Sequence, residues 1–414
     1  MAGDRAGSQK ASGMHTAPWT RRLTIAAIGL LALLLLNPVA ARAGGTTSKK
    51  KGPRPTTVVV SPTTTTTSTT STTVPTGQTV RVSDYGTTTA AVQRAADAAR
   101  GAILSFASGV VYEITAPIRL PSDVTVVGNG ATLRTPAGTT SSTTSDGILD
   151  IVGVTNVEVS GLTLDGNRAR QSTWSQWRHA IRVLDSSQVR IHDNQLVNLI
   201  GDGVYVSHRP DAVPPFRCSA SVEIARNTFR AEHDNRNGVS LVCGSKVAVR
   251  DNSLYRMARP DMPGSIDLEP NRAEDFLEDI EISGNQIDSG DGTFTPSGIV
   301  YIDTGSNARV AGVSVHHNVI RGSQLKYGVA FYGQYERSRV SGVTIWSNDI
   351  RNIRYSSTAA GITVEQGVPA TVSGNVIDGV TGWGVFSYRS CVSVRDNQVG
   401  SVTLDPVKQL EPTC

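Results

Sequence analysis

The sequence predicts an all-β chain folded as a right-handed parallel β-helix, a solenoid that grows coil by coil along one axis. Three observations carry this expectation. A unit V/I-x-V/I-x-x-N-x-φ returns eight times between Val189 and Val399. A second short strand, usually opened by glycine, lies between consecutive units, as in Gly203-Val204-Tyr205-Val206 and Gly238-Val239-Ser240-Leu241. The composition, with 40 glycines and only 5% aromatic residues, suits short strands joined by many turns. A chain of 414 residues has length for two or three ordinary domains, yet solenoids exceed that size as single bodies.

Residues 1–43 read as an export signal or membrane anchor. Arg21 and Arg22 precede an apolar run from Leu23 to Leu36, which is followed by Asn37, Pro38 and the small-residue site Ala41-Arg42-Ala43. The run falls short of the ~20 residues that span a bilayer comfortably, so membrane contact is expected through this segment or not at all. Residues 44–76, with Lys49, Lys50 and Lys51 ahead of a Thr, Ser and Pro tract, cannot bury enough apolar surface to fold and read as a disordered linker or stalk.

The formal charge of +4 resides in this leader. Residues 1–76 hold nine Lys or Arg against one acid, leaving 30 bases and 34 acids for the remainder, so no nucleic-acid partner is implied. Cys218, Cys243, Cys391 and Cys414 all follow the leader, which fits an oxidising, extracytoplasmic location. Three pairings are possible; Cys218 with Cys243 and Cys391 with Cys414 each lie within about one coil. No Cys-x-x-Cys occurs, and no metal site is read from the sequence.

The folded domain is expected over 77–414. Its first part, 80–134, reads as a closure: a helix from about Thr88 to Arg100, capped by threonine, can cover the open end that every solenoid must protect. The repeats then begin. Each unit is two period-two strands around a polar corner, and asparagine tolerates the left-handed backbone that a corner demands. The corners Asn194, Asn227, Asn252, Asn285, Asn318, Asn348, Asn375 and Asn397 should stack into a ladder bonded amide to amide.

Asp84-Tyr85-Gly86, the alanine-rich helix, Gly128-Asn129-Gly130-Ala131, Leu164-Asp165-Gly166-Asn167-Arg168 and the asparagine repeats together resemble the pectate-lyase-like β-helix superfamily over essentially all of 77–414. The resemblance implies action on polysaccharide, by hydrolysis, elimination or epimerisation, or non-catalytic service at a surface. No single family's catalytic motif is present. Asn-Thr-Asp, Gly-His-Gly and Arg-Ile-Lys of polygalacturonase-like enzymes are missing, Arg190-Ile191-His192 being the nearest fragment, and so is the Asp-Pro-His-Glu of alginate epimerases.

Candidate chemistry is sought on the outward face of the glycine-opened strands. There, side chains of adjacent coils stand ~4.8 Å apart and i, i+2 neighbours ~6.5–7 Å apart. Asp267 and Glu269, on one side of Gly264-Ser265-Ile266-Asp267-Leu268-Glu269, form the leading pair, and Asp202 lies two coils below at ~9.6 Å. These separations approach the ~6.5–9.5 Å of inverting glycosidases, and crowding raises one carboxyl so that it keeps a proton. The alternatives are a solvated strand edge, ion pairs with Arg182, Arg236 or Arg272, and a turn at Asp202-Gly203. Expected substrate contacts are Trp174, Trp177, His179, Arg182, Tyr205, Arg236, Asn237, Tyr301, Asp303, Tyr332 and Glu365.

Three functions follow as expectations: a glycoside hydrolase using Asp202, Asp267 and Glu269; a lyase or epimerase in which Tyr205, Tyr301 or Tyr332 abstracts a proton, with calcium as a possible cofactor; and a surface protein that binds glycan without altering it. The hydrolase needs no cofactor.

Overall fold

The computed structural model describes residues 77–414, apart from 140–145, 173–174, 214–215, 231–234, 258, 260–261, 291–293 and 335–338. The export signal or anchor and the Thr/Pro-rich stalk lie outside the described residues. The strands form three parallel sheets of 13, 11 and 11 strands, each strand pairing with its counterpart one coil away.

One coil explains the rest. Ser187–His192 lies in the first sheet, Gln195–Val197 in the second and Val204–Ser207 in the third; the chain then returns to the first sheet as Ser219–Ala225. There Val189 faces Val222 and Ile191 faces Ile224. Period two sends Val189, Ile191, Leu196, Val204 and Val206 inward, all fully buried, while Arg190, Gln195 and Tyr205 point out. Each such inward aliphatic contributes about 1.5–3 kcal/mol by leaving water, and stacking makes the core continuous from coil to coil.

The asparagine ladder is present. Asn285 is fully buried; its backbone N–H donates to Asn318 Oδ1 at 3.0 Å and its Nδ2 donates to Asn318 Oδ1 and Val249 O, both at 2.9 Å. Its own Oδ1 accepts from the N–H of Asn252 at 3.1 Å and from Asn252 Nδ2 at 3.0 Å. The left-handed backbone, however, falls on the residue before each asparagine: Asp193, Arg226, Asp251, Gly284, His317, Ser347, Gly374 and Asp396 have φ near +60°. Asparagine is required for its amide, which bonds both neighbouring rungs, rather than for its backbone. Asn285→Ala would strand the Asn252 N–H and the Val249 carbonyl in a dry corner, and is expected to cost on the order of 3 kcal/mol in urea unfolding. A loss below ~1 kcal/mol would mean that the ladder is ornamental.

Glycine opens the third-sheet strands because no Cβ fits at that corner. One added to Gly203 would stand 2.5 Å from Gly238 O and 2.6 Å from the Phe229 ring. At the N-terminal end the helix Thr89–Ala98 is capped by Thr88, whose side chain accepts the Ala91 N–H at 3.2 Å. Gln93 covers the edge strand Ile118–Arg119 by pairing its amide with both backbone polar groups of Arg119, at 2.8 and 3.0 Å. Cys218 pairs with Cys243 and Cys391 with Cys414, with Cα separations of 5.2 and 4.9 Å.

Candidate functional site

The third sheet carries the site because its outward row changes chemistry from rung to rung. In register, Asp150, Arg182, Tyr205, Ser240, Asp267 and Val300 succeed one another on the outer face. Asp202, Arg236 and Asn237 precede their strands at the glycine corner, and Glu269 follows its strand before Pro270. Three rungs thus bring together residues separated by 67 positions in sequence, Asp202 to Glu269.

Arg236 is the hub. Its Nη1 donates to Asp202 Oδ1 at 2.5 Å, with the arginine side chain 12% exposed and the aspartate 1%. Beneath Asp202 sits His179, whose Nδ1 accepts the Asp202 N–H at 3.3 Å and lies 3.4 Å from Oδ2; its ring stacks on Tyr205 at 4.4 Å. Asn237 Nδ2 donates to Ser240 Oγ and to Asp267 Oδ2, both at 2.9 Å. Asp267 Oδ1 is buried with no hydrogen-bond partner among the described residues, and the Glu269 carboxyl lies within electrostatic reach of it. The segment after Glu269 is fixed by Asp275, whose Oδ2 accepts the N–H groups of Asn271 and Arg272 at 2.8 Å while His208 Nε2 approaches Oδ1 at 3.0 Å.

The three carboxyls are driven in opposite directions. Burial and the facing Glu269 charge push Asp267 well above the usual carboxylate range, and burial raises Glu269 as well. Two carboxyls this near one another oppose each other's ionisation, so the protonated form of the pair is favoured. Burial also opposes ionisation of Asp202, but Arg236 and His179 more than offset it and hold this carboxyl below its ordinary value. Burial pushes the Tyr205 hydroxyl up to about 12. His179 Nε2, Arg236 Nε and Asn237 Oδ1 are buried with no hydrogen-bond partner among the described residues. Such unsatisfied atoms, gathered in one place, are polar capacity that a bound molecule can use.

The sequence expectations fare unevenly. Asp202, Asp267, Glu269, His179, Tyr205, Arg236 and Asn237 do assemble. Arg182 is tied to Asp150 through Nε at 3.0 Å and Nη2 at 2.5 Å, one rung below Tyr205. Tyr301 is a correction: it shares the inward parity of Ile299, is fully buried and packs on Phe331 with ring centroids 5.7 Å apart. Asp303 closes the next turn, its Oδ1 accepting the Gly305 N–H at 2.9 Å. Tyr332 and Glu365 pair in register on the same face, two and three rungs beyond Glu269. Trp177 is 36% exposed just ahead of His179, and Trp174 lies outside the described residues. Arg190 and His192 face outward from the first sheet, bound to Glu158, away from this row.

Tyr301 allows a check. Its hydroxyl is buried without a partner among the described residues, so Tyr301→Phe should stabilise the fold by about 1 kcal/mol in thermal or urea unfolding. Marked destabilisation would instead reveal a bond that this hydroxyl makes.

Sequence reading missed Asp150, Ser240, His208 and Asp275. The alternation in Gly238-Val239-Ser240 placed Ser240 beside Asp267 in principle; His208 and Asp275 lie in turns, where no periodicity points. As for calcium, Arg236 stands among the carboxylates, and the described residues hold no group of three or more His, Cys, Asp or Glu arranged as a metal cage.

Residues 216–401 match the family described as right handed beta helix region. The chain is a right-handed parallel β-helix protein. This β-helix is similar to the polygalacturonase from Erwinia carotovora ssp. carotovora, at 14% identity and TM-score 0.59 over 79% of this chain and 93% of that one. It is similar also to PfbA, a surface adhesin of Streptococcus pneumoniae, at 15% identity and TM-score 0.58 over 80% and 91%. A third is the A-module of the Azotobacter vinelandii mannuronan C-5 epimerase AlgE4, at 16% identity and TM-score 0.52 over 80% and 97%. No curated protein matches the β-helix by sequence. At such identities the shared property is the fold.

Proposed function

We propose that the chain is an exported glycoside hydrolase acting on polysaccharide, with Asp267 and Glu269 as its proton store and Asp202 as the carboxylate that is ionised at rest. The observation that carries this reading is the gathering of three carboxyls on adjoining rungs, Asp202 bonded to Arg236 and Asp267 to Asn237, where burial and mutual repulsion favour the protonated form of Asp267 and Glu269 while Arg236 favours the charged form of Asp202. Finding two carboxyl populations pushed apart is how acid and base roles are recognised at neutral pH. Glu269, the only one of the three with solvent-facing surface, delivers the proton to the glycosidic oxygen as the C–O bond breaks. Asp202 stabilises the positive charge developing on the sugar and takes the proton of the water that adds to the anomeric carbon. Asp202 then releases that proton to solvent, and the carboxyl pair is reprotonated from solvent.

Proton abstraction by tyrosine is less well supported. Burial raises Tyr205 to about 12 and Tyr332 well above its usual value, so neither readily becomes a phenolate near neutral pH, and Tyr301 faces the core. A second reading, glycan binding without turnover, is favoured by one fact: Asp202 is only 1% exposed, closed in by Arg236 and His179. The two disulfides and the apolar leader support export, and the Thr/Pro-rich tract supports display at a surface.

The test is incubation of the full chain with a panel of polysaccharides, following reducing ends and the absorbance of unsaturated uronates separately. Reducing ends alone are expected. Both signals together indicate a lyase, and silence with retained binding establishes the second reading.

A further inference from the structure

The outer face of the first sheet carries a histidine pair that the proposed hydrolysis does not use. Strand Arg309–His316 ends on His316, and the left-handed residue of that corner is His317, with φ +54°. Period two turns His316 outward, the left-handed backbone brings His317 to the same side, and their two Nδ1 atoms stand 2.9 Å apart. Both neighbouring rungs hold the pair in place. Trp346, in register with His316 one rung beyond, stacks on its ring at 4.4 Å and meets the His317 ring edge-on at 4.7 Å. The indole N–H is itself anchored, donating to Ser314 Oγ at 3.2 Å. One rung back, Glu281 Oε1 lies 3.3 Å from His316 Nε2 and accepts the Ser283 hydroxyl at 3.0 Å. A neutral imidazole has a single N–H, so with that proton on Nε2 and directed at Glu281, His316 Nδ1 is a bare lone pair. His317 is exposed, and its proton can rest on Nε2 in water, which frees its Nδ1 as well. The other described histidines are committed elsewhere: His192 has carboxylates at 2.7 Å from both ring nitrogens, His208 lies between Arg209 O and Asp275, and His179 Nδ1 is engaged by Asp202.

We infer that His316 and His317 chelate copper(II) through their Nδ1 atoms, with water completing the shell and Glu281 orienting His316 from behind. The site lies on a different sheet from Asp202, Asp267 and Glu269, so it stands or falls apart from the hydrolase. The choice of ion follows from the separation of the donors. Two metal–nitrogen bonds of ~2.0–2.1 Å to atoms 2.9 Å apart enclose an angle of about 90°. That is the angle between adjacent ligands in the tetragonal shells of copper(II) and nickel(II), and copper binds the more tightly of the two. A tetrahedral zinc ion would need the nitrogens about 3.3–3.4 Å apart. Glu281 supplies the carboxylate that accepts the far N–H of a ligating histidine, fixes its tautomer and makes its lone pair more basic. With two protein donors the site is weaker than a closed cage, in keeping with the absence of any group of three His, Cys, Asp or Glu ligands among the described residues.

The experiment titrates the full chain with copper(II) chloride, following electron paramagnetic resonance and tryptophan fluorescence, beside its His316→Ala, His317→Ala, Glu281→Ala and Trp346→Phe variants. The expected result is a tetragonal copper spectrum with coupling to two imidazole nitrogens at one equivalent of metal, undisturbed by an equal amount of zinc(II). Affinity should fall at least tenfold in either histidine variant and about tenfold in Glu281→Ala, the lower end of what a lost outer-shell partner costs. Because the Trp346 ring lies against His316, bound copper quenches its emission, and Trp346→Phe should lose that quench while keeping the paramagnetic spectrum. Circular dichroism identifies any variant that fails to fold, and the nitrogen count and zinc competition of the wild-type chain stand without the variants. The inference is overturned by a wild-type spectrum without paired nitrogens, by displacement with equimolar zinc, or by no copper bound at equimolar chain and metal. Copper binding unchanged in both histidine variants, or a quench that survives Trp346→Phe, places the metal elsewhere on the chain and overturns it equally.

Discussion

Replacing Arg236 with leucine is expected to lower stability by about 3–5 kcal/mol, the cost of leaving a buried charge without its partner. Asp202 is enclosed at 1% exposure, and Arg236 Nη1 is its cationic hydrogen-bond donor among the described residues. The direction of the shift on Asp202 gives the pH dependence. A carboxyl held below its ordinary value contributes stability that is present above the unfolded value near 3.8 and lost as pH falls through the folded one. Arg236→Leu should therefore be most damaging at neutral pH and converge with wild type in acid. Asp202→Asn in the same chain should recover much of the loss, since it removes the stranded charge. Urea unfolding at pH 7 and at a pH well below 3.8 measures both; equal stability of wild type and Arg236→Leu at pH 7 would show that Asp202 does not depend on the guanidinium.

Asp267→Asn is expected to act in opposite directions on activity and stability. Hydrolysis should fall about 10²–10⁴-fold, the range of a lost general acid, and Glu269→Gln should do the same. Stability should rise at neutral and alkaline pH. A carboxyl raised above its unfolded value stabilises the fold fully below that unfolded value, and the contribution is lost as pH rises through the folded one. Between those limits wild type loses ~1.4 kcal/mol per pH unit for each proton that folding retains, and Asn at 267 does not titrate. The Asn237 amide keeps a partner, because the asparagine oxygen still accepts its N–H. The melting-temperature difference between variant and wild type should consequently widen from pH 4 to pH 8. Full activity in Asp267→Asn removes the central residue of the proposed chemistry; a flat difference across pH means that the carboxyl pair holds no extra proton.

Both expectations trace to one corner of the solenoid, where stability and chemistry oppose each other. A β-helix has ample redundancy elsewhere: its core repeats at every rung, and the asparagine ladder ties rung to rung. Such a scaffold can carry three buried carboxyls and several unsatisfied polar atoms at one place, a load that a small domain with marginal stability would not tolerate.

The sequence by itself determined the repeat, the inward and outward parity of most strands, the ladder and the capping helix, while the choice among three cysteine pairings was made by the structure. Each is set by local periodicity or by contact between adjacent coils, and a parallel solenoid converts sequence spacing directly into position. It also placed Asp202, Arg236 and Asp267 on successive rungs. Only the tertiary structure decided what their side chains do, since rung spacing fixes Cα atoms while the chosen rotamers bring Asn237 onto Asp267 and Arg236 onto Asp202. Tyr301 was misassigned because an aromatic at the end of an aliphatic strand suggests a surface ring, yet parity with Ile299 sends it inward against Phe331. The left-handed residue before each asparagine was likewise legible only once backbone angles were in place, because the corner is set by the stacking of rungs that no single repeat contains.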